Sequence, residues 1–492
     1  MSKIKIFSLG GQNENGKNMY IVEVDNDIFV FDAGLKNADD RMLGVDYIIP
    51  NYDYLMENRE RIKGIFISHG HEEQYGAIAD MVVDMPDIMI YATSFTIAMI
   101  KNDLAESNVE FNNLIEIKPH KKINFGKNSI FPIRLTHSVP DAVGYVLSTE
   151  DGAIFYTGNY VFDSTMAGAY KTDVGKLAYI GKQGVLCLLS ETMSACETGW
   201  TAPKHRIAQI IKSTLSKAEK RVIFNVFQAE LYRIQELFDE VEKTQRKVII
   251  LGRKLEQTIK KAIDEKHISF DKKRIANINE VNNDNVVILI SDEKEKPYSH
   301  LNRIVRGFDK FVKIKETDTI LFASTIYDGL EKTASNLFDE IAKLGASLVI
   351  TAHEDFREYH ASREDLMLML NLIQPKYFMP VMGEYRCFVA AAEAAVDVGL
   401  ARENVLMKLN GQVAEFNNGK YEDKTLKIKV DDILIDGKTV GDVGDIVIKD
   451  REVLSENGVI IVNIIIDKFT KKLVQTPDIE SKGFVFLEKS QQ

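Results

Sequence analysis

The apolar run Ile62-Lys63-Gly64-Ile65-Phe66-Ile67 passes directly into Ser68-His69-Gly70-His71-Glu72-Glu73-Gln74. No other stretch of the chain restricts its fold so strongly. A run of this kind is a buried strand. A strand that ends in histidines at i and i+2 can turn both imidazoles toward one cation. A carboxylate and a third imidazole just beyond would complete a two-metal hydrolytic centre, yet Glu73 and Gln74 hold those two places. Taken alone, the two histidines are equally compatible with an ordinary surface loop, so their context decides.

That context begins with short strands bounded by turns at 4–9, 19–24, 28–32, 62–67, 88–92, 130–136, 143–148, 153–157 and 185–189. Few helical segments interrupt them, which favours a mainly antiparallel β sandwich with outer helices over a doubly wound sheet. From His205 the texture changes. Ile207, Ile210, Ile211 and Leu215 stand at helical spacing, and strands at 222–227, 247–251 and 286–290 alternate with helices, as in a parallel-sheet unit. A strand returns at 377–381, and Asn417-Asn418-Gly419-Lys420-Tyr421-Glu422-Asp423-Lys424 reads as a linker. The tail strand at 459–466 is apolar on both faces, both of which must be covered.

A chain of 492 residues should hold about three domains. Cys187, Cys196 and Cys387 are its only cysteines and lack CxxC spacing, which supports neither a thiolate zinc site nor a disulfide framework and points to a reducing compartment. No apolar run approaches the roughly 20 residues that span a bilayer, and no signal core follows the amino terminus. A cytoplasmic protein without a membrane partner is expected. Net charge of -11 argues against broad electrostatic capture of nucleic acid. The basic runs His120-Lys121-Lys122 and Lys272-Lys273-Arg274 read as solvated faces.

Ligand-type residues recur at strand ends: His69 and His71, Thr136-His137-Ser138, Thr157-Gly158-Asn159, and Pro380-Val381-Met382-Gly383-Glu384. Together with Gly10-Gly11-Gln12-Asn13-Glu14-Asn15-Gly16-Lys17-Asn18-Met19, Phe31-Asp32-Ala33-Gly34-Leu35, His137-Ser138-Val139-Pro140-Asp141 and Gly383-Glu384-Tyr385-Arg386, they resemble ribonuclease J, in order, from residue 4 to about 486. The resemblance implies an α/β architecture: a metallo-β-lactamase αββα sandwich (1–205 and 363–416) with an inserted β-CASP α/β domain (206–362). A linker (417–428) and a small carboxyl-terminal α+β domain (429–492) follow. That domain, with its Gly441-Asp442-Val443-Gly444 and Ser481-Lys482-Gly483-Phe484 segments, is expected to be incomplete, because the family usually continues into terminal helices. Members degrade and mature RNA from the 5′ end.

The same resemblance implies seven metal-ligand positions, here His69, His71, Glu73, Gln74, His137, Asn159 and Met382. The family pattern has Asp, His, Asp and His where Glu73, Gln74, Asn159 and Met382 stand. His69, His71 and His137 correspond to the tripod of the first metal, and every changed position serves the second metal or the bridge. Asn159 supplies no anionic bridging oxygen, and Met382 offers a soft thioether to a hard ion. Glu73 keeps its charge, but its extra methylene displaces the carboxylate, and misplacement by about 1 Å costs about 100-fold in rate. Two-metal hydrolysis is therefore expected to be lost. The tripod either holds one Zn or Mn ion or is empty, with Asp32 orienting its imidazoles or merely bonding the turn at Gly34.

In the family, a Phe-Ala-Ser-Asn segment and a His-Val-Ser-Gly-His segment cradle the 5′-phosphate. The corresponding residues here are Phe227-Gln228-Ala229-Glu230 and Phe356-Arg357-Glu358-Tyr359-His360. Two donors have become the carboxylates Glu230 and Glu358, which should repel a phosphate. Glu191 and His360 survive as candidate RNA contacts, although His360 sits equally well at a helix start before Ser362 and Asp365. Both losses resemble the second ribonuclease J paralogue of Firmicutes. The expectation is an inactive or weak subunit that works in RNA processing and mRNA decay as a homo- or hetero-oligomer with an active paralogue. The alternatives are a ribonuclease using a single metal on three histidines, a small-molecule metallo-hydrolase and a pure RNA-binding module.

Overall fold

The computed structural model describes residues 2–38, 42, 44–227, 230–292, 297–326, 330–351, 356–436, 439–440 and 445–482. Contacts divide the chain into two compact units, residues 1–37 with 49–432, and residues 38–48 with 433–492.

In the first unit two sheets face each other. One begins as an antiparallel meander, with Lys3–Gly10 paired to Met19–Val24 and that strand to Asp27–Phe31. It then continues in parallel through Ile62–Phe66, Ile90–Ala92 and Leu114–Glu116. The other runs antiparallel through Ile123–Phe125, Asn128–Arg134, Val143–Thr149 and Gly152–Tyr156, then parallel through Val185–Glu191 and Tyr377–Val381. The sandwich is mainly antiparallel, as expected, with a parallel portion at one side of each sheet. Parallel neighbours need crossovers, and the helices Ser94–Glu106 and Val174–Gln183 supply two of them. The first is buried on several sides at Phe95, Ile97, Ala98, Met99 and Ile100, which erases the one-faced periodicity that would reveal it in the sequence. Between the sheets Phe31 packs on Tyr156 and Tyr145, with ring centroids 5.5 and 5.8 Å apart.

This topology determines where the chemistry falls. Asp27–Phe31 and Ile62–Phe66 run in parallel, as do Gly152–Tyr156, Val185–Glu191 and Tyr377–Val381. The residues that follow these strands, Asp32, Ser68 to His71, Thr157 to Asn159 and Met382, accordingly emerge at the carboxyl ends, where open α/β sheets place ligands. The expected parallel-sheet unit is present as five strands in the order Lys247–Leu251, Val286–Asp292, Val222–Phe227, Thr319–Phe322, Ser347–Ile350, all parallel.

Asn417-Asn418-Gly419-Lys420, read above as the start of a linker, instead closes a hairpin. Ala414–Asn417 pairs with Lys420–Glu422, and Asn418 and Gly419 have φ of 51° and 69°. Asn-Gly is the preferred pair for a two-residue hairpin turn because both positions need left-handed backbone. The second unit contains the helix Asp445–Asn457 and a hairpin of Val459–Asn463 with Asp478–Lys482. Only residues 459–463 of the apolar tail form the strand. Ile460 on one face and Ile461 on the other remain 57% and 44% exposed, so among the described residues neither face is covered as expected. A two-stranded hairpin offers one hydrogen-bonded neighbour and no packed layer. Residues 441–444 and 483–484, quoted above, lie outside the described set.

Candidate metal centre and phosphate pocket

The His69 loop is held from below by the Asp32 turn. Ala33 and Leu35 donate their backbone N–H groups to Gln74 O (2.7 Å) and Glu72 O (3.0 Å), and Asn18 N donates to Glu73 O (3.2 Å). Gly34 is required at this approach, because a Cβ there would lie 1.6 Å from the Glu73 carbonyl oxygen. The short helix Glu72–Tyr75 is thereby docked, and the two histidines before it are fixed relative to the sheet edge.

His69, His71 and His137 converge, with ring centroids 4.8, 4.5 and 4.9 Å apart pairwise. Their candidate ligand nitrogens all lie within 4.8 Å of one another. His71 Nδ1 and His137 Nε2 are 3.3 Å apart, near the roughly 3.4 Å expected of neighbouring donors on a tetrahedral ion with bonds of about 2.1 Å. Burial, reinforced by the neighbouring His69 and His71, pushes His137 well below the usual histidine range, and the neutral imidazole is the form that ligates. The three residues fit one zinc-like ion.

Asp32 reaches this tripod through Ser68 rather than through the Gly34 turn. Ser68 N and Oγ donate to the Asp32 carboxylate at 2.7 and 2.9 Å, and Ser68 Oγ lies 3.0 Å from His69 Nδ1. Tyr156 also donates its hydroxyl to Asp32. Burial pushes Asp32 up to about 7, against the lowering effect of these bonds. Neither Ser68 nor Tyr156 was singled out from the sequence. Ser68 precedes His69 directly and was legible as a candidate orienting hydroxyl.

Among the described residues, His69, His71 and His137 are the one group of histidine, cysteine or carboxylate ligands close enough to share an ion, and the second-metal positions Gln74 and Asn159 are bonded to each other. Gln74 Nε2 donates to Asn159 Oδ1 (3.1 Å), Asn159 Nδ2 donates to Glu191 Oε2 (3.0 Å), and His360 Nδ1 donates to the same Glu191 oxygen (2.7 Å). Glu191 is fully buried and also accepts the backbone N–H of Tyr160 at 2.6 Å. Burial opposes charge on His360, but contact with Glu191 outweighs it and the imidazole is raised. Met382 is only 1% exposed and packs in the core between the sheets, and it is absent from the cavity lining. Glu73 does line the cavity. A second ion would thus meet amide donors where carboxylates are needed.

The cavity, of about 450 Å³, runs from the tripod to the edge of the inserted sheet, lined by Phe227, Glu230, Thr325, Glu358 and His360 among others. Gln228 and Ala229 lie outside the described residues. Arg233, missed in the sequence, fills the expected phosphate-binding region from behind. Fully buried, it pairs with Glu230 at 2.9 Å and Glu358 at 2.8 Å and donates to Ala323 O at 2.6 Å, while its guanidinium lies 5.2 Å from the centre of the Phe356 ring. Burial and the neighbouring Glu358 raise Glu230, partly offset by Arg233. Its i,i+3 spacing from Glu230 on an amphipathic helix was the available signal. The two basic runs stay outside the cavity lining, and Arg274 donates to the carbonyls of Val241, Thr244 and Arg246. No helix among the described residues is long and apolar enough to cross a membrane.

Comparison with known proteins agrees with this geometry. Residues 29–174 match a family model described as a beta-lactamase superfamily domain. Residues 219–341 match the ribonuclease J beta-CASP domain, and residues 446–492 the ribonuclease J C-terminal domain. Ribonuclease J 2 of Staphylococcus epidermidis is 35% identical over 99% of this chain and 88% of its own length. Ribonuclease J 2 of Staphylococcus aureus is 34% identical with the same coverage. In fold, the chain resembles a crystal structure of a protein of unknown function from Enterococcus faecalis V583, with a TM-score of 0.59 at 14% identity, covering 85% of this chain and 100% of that one. Sandwich, inserted parallel sheet, histidine tripod and near-full-length likeness together show that the chain belongs to the ribonuclease J family.

Proposed function

We propose that this chain is a catalytically inactive or weak ribonuclease J subunit that acts by assembling with an active paralogue and by contributing RNA-contacting surface. The observation that carries this reading is that Gln74 and Asn159, at two of the second-metal positions, are neutral amides bonded to each other and, through Asn159, to the Glu191 and His360 pair. His69, His71 and His137 would hold one Zn or Mn ion, which when bound supplies Lewis acidity and a more acidic water. Arg233 is already engaged by Glu230 and Glu358, and among the described residues the lining lysines Lys36 and Lys254 are paired with Glu14 and Glu106, which disfavours capture of a 5′-monophosphate.

The intact tripod favours one second reading, a slow single-metal ribonuclease. End-labelled 5′-monophosphorylated RNA incubated with Mn or Zn, beside His69→Ala, separates the two. RNA that stays intact with both proteins supports the non-catalytic subunit, whereas decay abolished by the substitution establishes the single-metal enzyme. Affinity purification from the native host should recover an active paralogue, and failure to recover one removes the assembly half of the proposal.

A further inference from the structure

Between the helix Ser299–Val305 and the strand Thr319–Phe322, the chain makes a loop whose charge opposes that of the whole protein. Residues 306–318 carry Arg306, Lys310, Lys313 and Lys315 against Asp309, Glu316 and Asp318, and of these carboxylates Asp309 and Asp318 are buried, Asp318 paired with Arg221 at 2.7 Å, in a chain of net charge -11. Two aromatic rings stand out of this loop, Phe308 at 76% and Phe311 at 50% exposure. They are held there by structure. Asp309 is buried beneath them and accepts the backbone N–H groups of Phe311 (2.8 Å) and Val312 (2.9 Å), while Arg303 donates to its other oxygen at 3.2 Å. Asp309 and Asp318, two of the loop's three carboxylates, are therefore turned inward. Val312, between the exposed positions, is fully buried and anchors the loop to the core of the inserted sheet. Lys310 and Lys313 form no ion pair among the described residues, and Lys310 Nζ lies 5.7 Å from the centre of the Phe311 ring.

Exposed rings interleaved with unpaired cations suit a flexible polyanion that carries its own flat faces. Single-stranded nucleic acid is bound in this way, by base stacking on aromatic side chains along a positive track. Protein interfaces, in contrast, are depleted of lysine. We infer that the Phe308 and Phe311 loop is a binding site for single-stranded RNA, separate from the cavity at the histidine tripod. The cavity touches Phe227 and Thr325, at the carboxyl ends of the inserted strands, whereas this loop leads into the amino end of Thr319–Phe322. The two sites lie toward opposite ends of the strands of one sheet, of which Val222–Phe227, six residues long, spans roughly 20 Å. RNA held at the loop is anchored away from the cavity, a role that needs no chemistry. The inference rests on the reading of the chain as an RNA-contacting subunit.

The test is fluorescence anisotropy of the full chain with a labelled, unstructured 20-nucleotide oligouridylate at low and moderate salt. Phe308→Ala with Phe311→Ala should weaken binding by at least about tenfold, and Phe308→Trp with Phe311→Trp should preserve it. Lys310→Ala with Lys313→Ala should flatten the salt dependence by about two phosphate contacts. Both aromatic positions are exposed, so melting temperatures should match the parent and exclude misfolding as the cause. Unchanged RNA affinity in the double alanine variant overturns this site while leaving the proposed function standing, as does loss of a copurifying protein with RNA affinity intact. No RNA binding by the parent chain overturns both.

Discussion

Replacing Arg233 with Met puts the filled phosphate pocket to a quantitative test. The guanidinium is fully buried, and Glu230 and Glu358 lie 2.9 and 2.8 Å from it. At those separations each pair is worth about 6 kcal/mol of Coulomb energy at an effective dielectric of 20, before desolvation is subtracted. Truncating one partner of a buried pair typically costs about 3–5 kcal/mol, because the remaining charge stays buried without compensation. Two carboxylates would be stranded here, so Arg233→Met should fall at the upper end of that range. If the inserted lobe melts as a cooperative unit of about 150 residues, its transition should drop by roughly 6–20 °C.

The pH dependence gives the sharper criterion. Without Arg233, Glu230 loses the neighbour that partly offsets its burial and faces Glu358 alone, so its folded-state value rises further above the unfolded one. A raised carboxyl group carries no penalty below its unfolded value of about 4.3 and accumulates one as the pH rises toward its folded value. Circular-dichroism melts should therefore show a small deficit at pH 5 and the full deficit at pH 8. Adding Glu230→Gln and Glu358→Gln should restore most of the loss at pH 8. A deficit below about 1 kcal/mol at pH 8, or one that does not change between pH 5 and pH 8, refutes the claim that Arg233 neutralises these two carboxylates.

Ser68→Ala removes the hydroxyl that joins Asp32 to His69. It should weaken zinc binding by about 10- to 100-fold in competition with a chromogenic chelator, with little effect on the melting temperature. Gly34→Ala drives a methyl group into the Glu73 carbonyl, so the expected outcome is poor folding and loss of the tripod's histidine NMR signature. Asp163 accepts from Thr165 N (2.8 Å) and faces His205 Nε2 (3.2 Å), and although burial works against its charge these contacts hold it well below the usual carboxylate range. Its contribution is therefore present above pH of about 4 and lost on acidification, so Asp163→Asn should be destabilised at pH 7 by about 1–3 kcal/mol and should converge on the parent as pH falls below about 4.

Sequence patterns reveal contacts that are local or periodic, and these were legible here. The strand into His69 and His71, the alternation of strands and helices after residue 205, and the carboxylates at Glu230 and Glu358 all fall in this class. Arg233 and Glu358 are 125 residues apart, and nothing local ties them together. Met382 was read as a ligand that had become a thioether, a statement about its chemistry. The backbone there has φ of 55°, donates its N–H to Gly11 O (3.0 Å) and leaves the side chain packed in the core, a direction that residue identity alone does not carry.

Charge explains why the altered residues belong together. Gln74 and Asn159 are neutral and joined by one hydrogen bond, and the one buried carboxylate among them, Glu191, is matched by the raised His360 imidazole. The set is electrically balanced as it stands. A divalent cation entering it would have to displace the His360 proton, break the Gln74 to Asn159 bond and rely on Glu191 and the half-buried Glu73 for its negative charge. Reverting one position cannot undo this. Asn159→Asp alone places a second carboxylate about 3 Å from Glu191, a like-charge contact of roughly 5 kcal/mol at an effective dielectric of 20. Two of the four departures from the family pattern, Gln74 and Asn159, thus share one hydrogen-bonded arrangement, and a second-metal site is better sought by changing them together than singly.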